Sequence, residues 1–290
     1  MDFCLAQKIR LEILDRCQLE PNVRFMKAAT IKDEIFILYS SISPNGDQDL
    51  AIRVYNRSQM AEVKEVIPLP DMKVGEIAAC SVSNCAYLLY CPIFLFFGIA
   101  RVTKDDQGQS TITHMATNET ELLQFSALSV TVDGILIMSG WLQTASLYVV
   151  RSFDANGSLQ REIKCTWLSS TYFPIYGIIP KSSGHHVLVS FDDSGHSYLT
   201  EFNADGTILS KYQSPSAPRD KNHCAGVGEE LTLMSESLVK MELLDSEFNL
   251  LDFNYSQLFT VPRSLHYNHE RNELITIADS VLSISKLIDE

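Results

Sequence analysis

One hairpin recurs in this chain, and that recurrence limits the folds open to it more than any other feature. Ser197-Tyr198-Leu199-Thr200-Glu201-Phe202 runs into an Asn203-Ala204-Asp205-Gly206 turn and then a second apolar run, Thr207-Ile208-Leu209. About fifty residues earlier, Leu147-Tyr148-Val149-Val150-Arg151-Ser152-Phe153 runs into Asp154-Ala155-Asn156-Gly157 and then Ser158-Leu159. Glycine at the end of each turn supplies the positive φ that a tight hairpin needs, and the Asn or Asp before it tolerates that geometry. Weaker copies start at Ile52, Ala100 and Lys240, the last leading into Leu250-Leu251-Asp252-Phe253.

Two further strand-like runs precede each hairpin. Examples are Ile77–Val82 with Ala86–Leu89, Ser126–Thr131 with Gly134–Ser139, and Ile175–Ile179 with His186–Ser190. Short strands at this period predict four-stranded blades. A sandwich or an up-and-down barrel does not require the same hairpin at blade spacing. Five copies are followed by a sixth unit from Pro262, which has room for only about three strands before Glu290. The N-terminal Lys8–Ile13 segment is the natural source of its missing outer strand, since closing the ring removes the exposed sheet edges. The expectation is an all-β, six-bladed β-propeller closed by an N-terminal strand in the last blade, one domain over residues 1–290. Leu11–Leu19 is the one stretch that also reads as a helix.

The formal net charge of −13 disfavours nucleic acid, whose binding rests largely on basic side chains that neutralise phosphates. Seven cysteines without a CxxC pair read as small buried hydrophobes in a reducing compartment, and the N-terminus shows no signal peptide. A cytoplasmic protein is the expectation, with the Asn-x-Ser/Thr matches at Asn56, Asn118, Asn156 and Asn254 as chance occurrences in turns.

No residue is offered as catalytic and none as a metal ligand. His266-x-x-His269 straddles a strand end where side chains alternate faces, so these two, with His185, His186 and His223, read as solvated or turn histidines. No GxSxG elbow occurs, and Gly226-Val227-Gly228 lacks the rest of a phosphate loop, so it reads as a tight bend and no cofactor is implied. The most unusual segment, residues 86–100, is too short to span a membrane as a helix and contains Pro92. In a blade it spans two strands and their turn, which makes Phe94, Phe96 and Phe97 the candidates for contact with a protein partner.

The motifs Phe153-Asp154-Ala155-Asn156-Gly157 and Phe202-Asn203-Ala204-Asp205-Gly206 resemble the blade hairpins of NHL-repeat propellers. So does Pro262-Arg263-Ser264-Leu265-His266-Tyr267-Asn268 leading into Asn272-Glu273-Leu274-Ile275-Thr276-Ile277-Ala278. At blade level the resemblance covers nearly the whole chain. It implies recognition of proteins or RNA, as by the propellers of tripartite-motif proteins. Their ligase activity lies in a separate RING, and this chain has no Cys/His zinc arrangement to match it. The leading functional expectation is a non-catalytic interaction module that binds a protein through its loop faces. One alternative is a lactonase-like propeller hydrolase with a divalent ion held on the axis by carboxylates, although Asp133, Asp154, Asp192, Asp193 and Asp205 all fall in turns. The other is single-stranded RNA binding on one face.

Overall fold

The computed structural model describes residues 8–289 apart from 21–23, 43–47, 71, 94–95, 106, 116–122, 143, 169–174, 192–195, 215–222, 228–230, 237–239, 255–261, 263 and 279. After β1 (Lys8–Gln18), the first blade comprises β2 (Arg24–Ile31), β3 (Glu34–Ile42), β4 (Gln48–Asn56) and β5 (Val63–Pro68). The second comprises β6 (Lys73–Cys80), β7 (Cys85–Ile93), β8 (Phe96–Lys104) and β9 (Ser110–Met115). The third comprises β10 (Leu123–Val130), β11 (Leu136–Leu142), β12 (Leu147–Phe153) and β13 (Leu159–Lys164). The fourth comprises β14 (Ile175–Pro180), β15 (His186–Phe191), β16 (Ser197–Phe202) and β17 (Ile208–Gln213). The fifth has β18 (His223–Val227), β19 (Leu231–Glu236) and β20 (Lys240–Leu244), followed by β21 (Asp252–Asn254). The sixth has β22 (Ser264–Asn268), β23 (Glu273–Ala278) and β24 (Val281–Asp289).

In blades one to five the strands pair in chain order, and the last blade's sheet runs β21-β1-β24-β23-β22. The innermost strands touch in the order β2, β6, β10, β14, β18, β22, and β22 returns to β2. Six sheets set radially around an axis make a six-bladed β-propeller. As expected, β1 pairs antiparallel with β24 and completes the last blade. The Leu11–Leu19 stretch is therefore strand rather than helix over nearly all its length. Alternation decides this: Ile9 and Leu11 are buried, while Arg10 and Glu12 face solvent.

The fifth blade departs from the expectation. Leu250 makes only an isolated bridge to Leu244, and the Leu251 amide donates to the Leu243 carbonyl at 2.9 Å. The chain then leaves its own blade, and β21 pairs parallel to β1 from Lys8↔Asp252 to Arg10↔Asn254. The predicted fourth strand of blade five is thus shared between two blades. It covers the free edge of β1, which would otherwise present unpaired backbone groups.

The cores lie between blades. On β3, Phe36 and Leu38 pack toward blade two, whereas Ile35 and Ile37 pack toward blade six. Such strands are buried on both faces, which is why β11 and β15 read as apolar runs instead of alternating. Comparable clusters fill the other junctions, so every blade depends on both neighbours. Each fully buried Leu or Ile contributes about 1.5–3 kcal/mol, and the ring is held by dozens of such side chains.

One face carries two concentric rings of turns. The inner ring joins first to second strands beside the axis, and the outer ring joins third to fourth strands at the periphery. The outer turns of blades two to five repeat one scheme. The side chain of Asp105, Asp154, Asn203 or Asp245 accepts from the amides two and four residues ahead at 2.8–3.0 Å. The residue three ahead is left-handed: Gly108, Gly157 and Gly206 at φ 81–84°, and Phe248 at φ 63°. Blade one differs, with a short 3-10 turn at Arg57–Gln59 capped by Asn56.

Candidate functional site: the axial cavity and its rim

The inner strands of blades one to four each carry a β-bulge near their start, seen as register shifts at Phe25/Lys27, Val74/Glu76, Phe125/Ala127 and Ile175/Gly177. A bulge re-aims the residue that follows it. At this level of the ring the four blades therefore bring Lys27, Glu76, Ala127 and Gly177 to equivalent positions. Lys27 and Glu76 meet as an ion pair at 3.3 Å across the junction of blades one and two. The opposite wall is small and apolar. A Cβ placed on Gly226 would lie 2.6 Å from Cγ2 of Ile179, so glycine there permits blades four and five to approach. Gly226 therefore belongs to an inner strand, not to the tight bend that the sequence suggested.

An axial cavity of about 410 Å³ results, lined by all six inner strands. It extends to Ser81, Val82, Thr131, Val132, His269 and Glu270, which follow the inner strands, so it opens toward the inner ring of turns. His266 lies in its wall. The Thr30 amide donates to His266 Nε2 at 3.1 Å, and the Thr30 hydroxyl lies 2.8 Å from the same nitrogen. An amide can donate only to an unprotonated nitrogen, so the ring is neutral with its proton on Nδ1. Burial pushes His266 down to about 4, with His269 adding repulsion.

His266 is therefore a wall residue bonded to β2 rather than the solvated histidine suggested by the sequence. His269 is exposed at the rim, as expected, and its ring stands edge-on to Tyr267 at 4.9 Å. His185 contacts Glu201 at 3.2 Å. His186, half-buried against Phe202 at 5.5 Å, is pushed down to about 4 by burial and by the neighbouring His185 and Arg161. His223 is placed on β18, and its side chain lies outside the described residues. No group of three or more His, Cys, Asp or Glu among the described residues is disposed to hold a metal ion. Glu76 is the one carboxylate on the six inner strands, and Lys27 already holds it.

At the rim, the turns of blades two and three meet. A Cβ on Gly134 would lie 3.1 Å from Cβ of Val82, so the two turns are in van der Waals contact. Val82, Val132 and Ile135 are nevertheless 66%, 56% and 40% exposed. Sequence reasoning missed this trio, because a lone valine in a turn is unremarkable and the contact joins residues far apart in the chain. Phe94 lies outside the described residues, as do the side chains of Phe96 and Phe97. The backbone of Phe96 pairs with Ile93 where β8 begins, at the end of blade two opposite the Val82 turn.

Ring, closure and axial cavity together define the class: a six-bladed β-propeller. No family model matches the sequence, and no curated protein does. Solved structures share the architecture. A gluconolactonase from Xanthomonas campestris superposes with a TM-score of 0.58 at 13% identity, over 99% of this chain and 96% of that one. A protein of unknown function from Dyadobacter fermentans gives 0.63 at 9% identity, over 96% and 99%. At such identities the likeness is one of fold. Among the described residues no helix is long and apolar enough to cross a membrane.

Proposed function

We propose that this chain is a non-catalytic, NHL-like propeller that binds a protein partner, with the inner ring of turns around the axial cavity as its contact face. The observation carrying this reading is the exposed apolar side chains of Val82, Val132 and Ile135 on two turns that brace each other, with Val82 and Val132 lining the cavity. A closed ring offers such a surface without rearrangement, which lowers the ordering cost of association. The gluconolactonase fold invites a hydrolase reading, but an axial metal site needs several converging oxygens. Among the described residues the cavity is lined by two carboxylates, Glu76, which is paired with Lys27, and Glu270 at the rim.

The test is affinity capture from native extract with the full chain and two variants. One replaces Val82, Val132 and Ile135 by Ser. The other replaces Phe94, Phe96 and Phe97 by Ser; the backbone of Phe96 lies at the opposite end of blade two. A partner retained by the wild type and by the phenylalanine variant, and lost from the valine–isoleucine variant, supports the inner-ring face. The reverse pattern moves the contact to the aromatic segment. Retention by both variants overturns the reading.

A further inference from the structure

We propose that Cys80 and Cys85 form a peroxide-oxidisable dithiol that closes to a disulfide across the turn bearing Val82. The two residues are Cα partners at the end of the β6–β7 ladder. Facing residues of an antiparallel pair lie about 4.5–5.5 Å apart at Cα, inside the window of about 4.4–6.8 Å that a disulfide accepts. Both are free thiols with 1% of their surface exposed. The two side chains interact electrostatically across the ladder, with Tyr87 beside Cys85.

The pair is built asymmetrically. Cys80 accepts from the Ser83 amide at 3.4 Å and lies 4.0 Å from the Gly134 carbonyl, with the Cys85 thiol facing it and a further backbone contribution from Val82. The Cys85 thiol and these amides hold Cys80 well below the ordinary thiol range against the opposing effect of burial. Cys85 is pushed up and remains a thiol, with Arg101 nearby as the favourable charge. A reactive thiolate next to a protonated thiol is the arrangement of an attacking and a resolving cysteine. Cys165 is the contrast: burial alone pushes it up to about 12.

Access is short. A Cβ on Gly134 would lie 3.1 Å from Val82 Cβ and 3.3 Å from Cys80 Sγ, so the sulfur lies directly beneath the exposed Val82 turn. In the reaction, the Cys80 thiolate attacks one peroxide oxygen and the O–O bond breaks. Cys80 becomes a sulfenic acid, and hydroxide leaves. Cys85 then loses its proton to that hydroxide and attacks the Cys80 sulfur, forming the S–S bond as a second hydroxide departs and takes up a proton. Two thiols and one hydroperoxide yield one disulfide and two waters. The sulfurs lose two electrons and the peroxide oxygens gain them.

The test exposes the folded full chain to limiting hydrogen peroxide, then alkylates it after unfolding and maps the cysteines by fragmentation mass spectrometry. The expected product is a Cys80–Cys85 disulfide, with Cys80 consumed at least about tenfold faster than Cys165. In Cys85→Ala, dimedone should trap a sulfenic acid on Cys80, and in Cys80→Ala the Cys85 thiol should survive. Equal rates at Cys80 and Cys165, a disulfide from either cysteine to Cys91, or over-oxidised Cys80 without a disulfide would each overturn the proposal. The wild-type map decides the matter even where a variant fails to fold. Its outcome is independent of whether Val82, Val132 and Ile135 bind a partner.

Discussion

The two rings of turns on one face of the propeller were built under different constraints. In the outer ring, four blades use the same side-chain-to-amide scheme, down to the left-handed residue at the same position. The inner ring is mixed: blades three and four close with the same backbone turn as the outer ring, the amides of left-handed Gly134 and Gly184 donating to the Thr131 and Lys181 carbonyls at 3.0 Å, whereas blades one, two and six each turn differently. Blade one turns within Lys32 and Asp33, blade two spans Ser81 to Asn84, and blade three closes on the Thr131 hydroxyl, which accepts from Ile135 at 3.0 Å. Blade six closes on Asn268, whose side chain accepts from Glu270 and Arg271 at 3.0 and 3.2 Å. A repeated turn can therefore serve folding in the outer ring and carry exposed apolar side chains in the inner one, as Val132 and Ile135 do in blade three, where another molecule can be met.

Substitutions that interchange the rings' features test this contrast, beginning with the costliest. Phe248 occupies the left-handed slot that is glycine in three sister turns, yet its ring is buried and lies 5.4 Å from Lys181 Nζ. Phe248→Gly relieves roughly 1–2 kcal/mol of backbone strain and forfeits roughly 3–5 kcal/mol of packing. A net loss of about 2–3 kcal/mol should appear as a lower urea midpoint; a gain would mean that the repeated turn outweighs its local filling. Gly206→Ala places a Cβ 2.9 Å from Ile163 Cγ2 at φ 82° and should cost about 2 kcal/mol in the same assay. Asp154→Ala removes two amide partners and should cost about 1 kcal/mol, whereas Asp154→Asn should stay within about 0.5 kcal/mol. Asn203 already performs the same task in the next blade.

Two histidines on the strands, His266 on β22 and His186 on β15, predict an acid response. His266 and His186 are both depressed to about 4 from 6.5, so the unfolded chain binds more protons between those values. Their contribution is whole above pH 6.5 and falls as pH drops toward 4. Urea midpoints should therefore be lower at pH 5 than at pH 7, and His266→Gln should flatten the slope; an unchanged slope would sink the assignment. Smallest of all, joint replacement of Val82, Val132 and Ile135 by Ser should shift stability by no more than about 0.5 kcal/mol per site, because these side chains are already in water.

How far the sequence could be read follows from the range of the forces involved. Asn203-Ala204-Asp205-Gly206 encodes its turn within four residues, so hairpins, blade count and the role of Lys8–Ile13 were open to inspection. The β21 crossover was hidden, because Leu250-Leu251-Asp252-Phe253 has the pattern of a strand wherever it pairs. The Lys27–Glu76 pair was hidden too, since it depends on two bulges that leave no mark in composition. Val82 and Gly134 meet only once two blades are stacked.

β1 is gripped on one edge by β24 and on the other by β21. Of the strands in the ring β1 is made first and β24 last, so the blades between them must wait, half-shielded, for the final pairing. Such distant partners make for slow closure and a long window in which chaperones are useful. The same latch means that a protease nick within β24 would loosen the strand that joins β1 to the last blade and open the ring there.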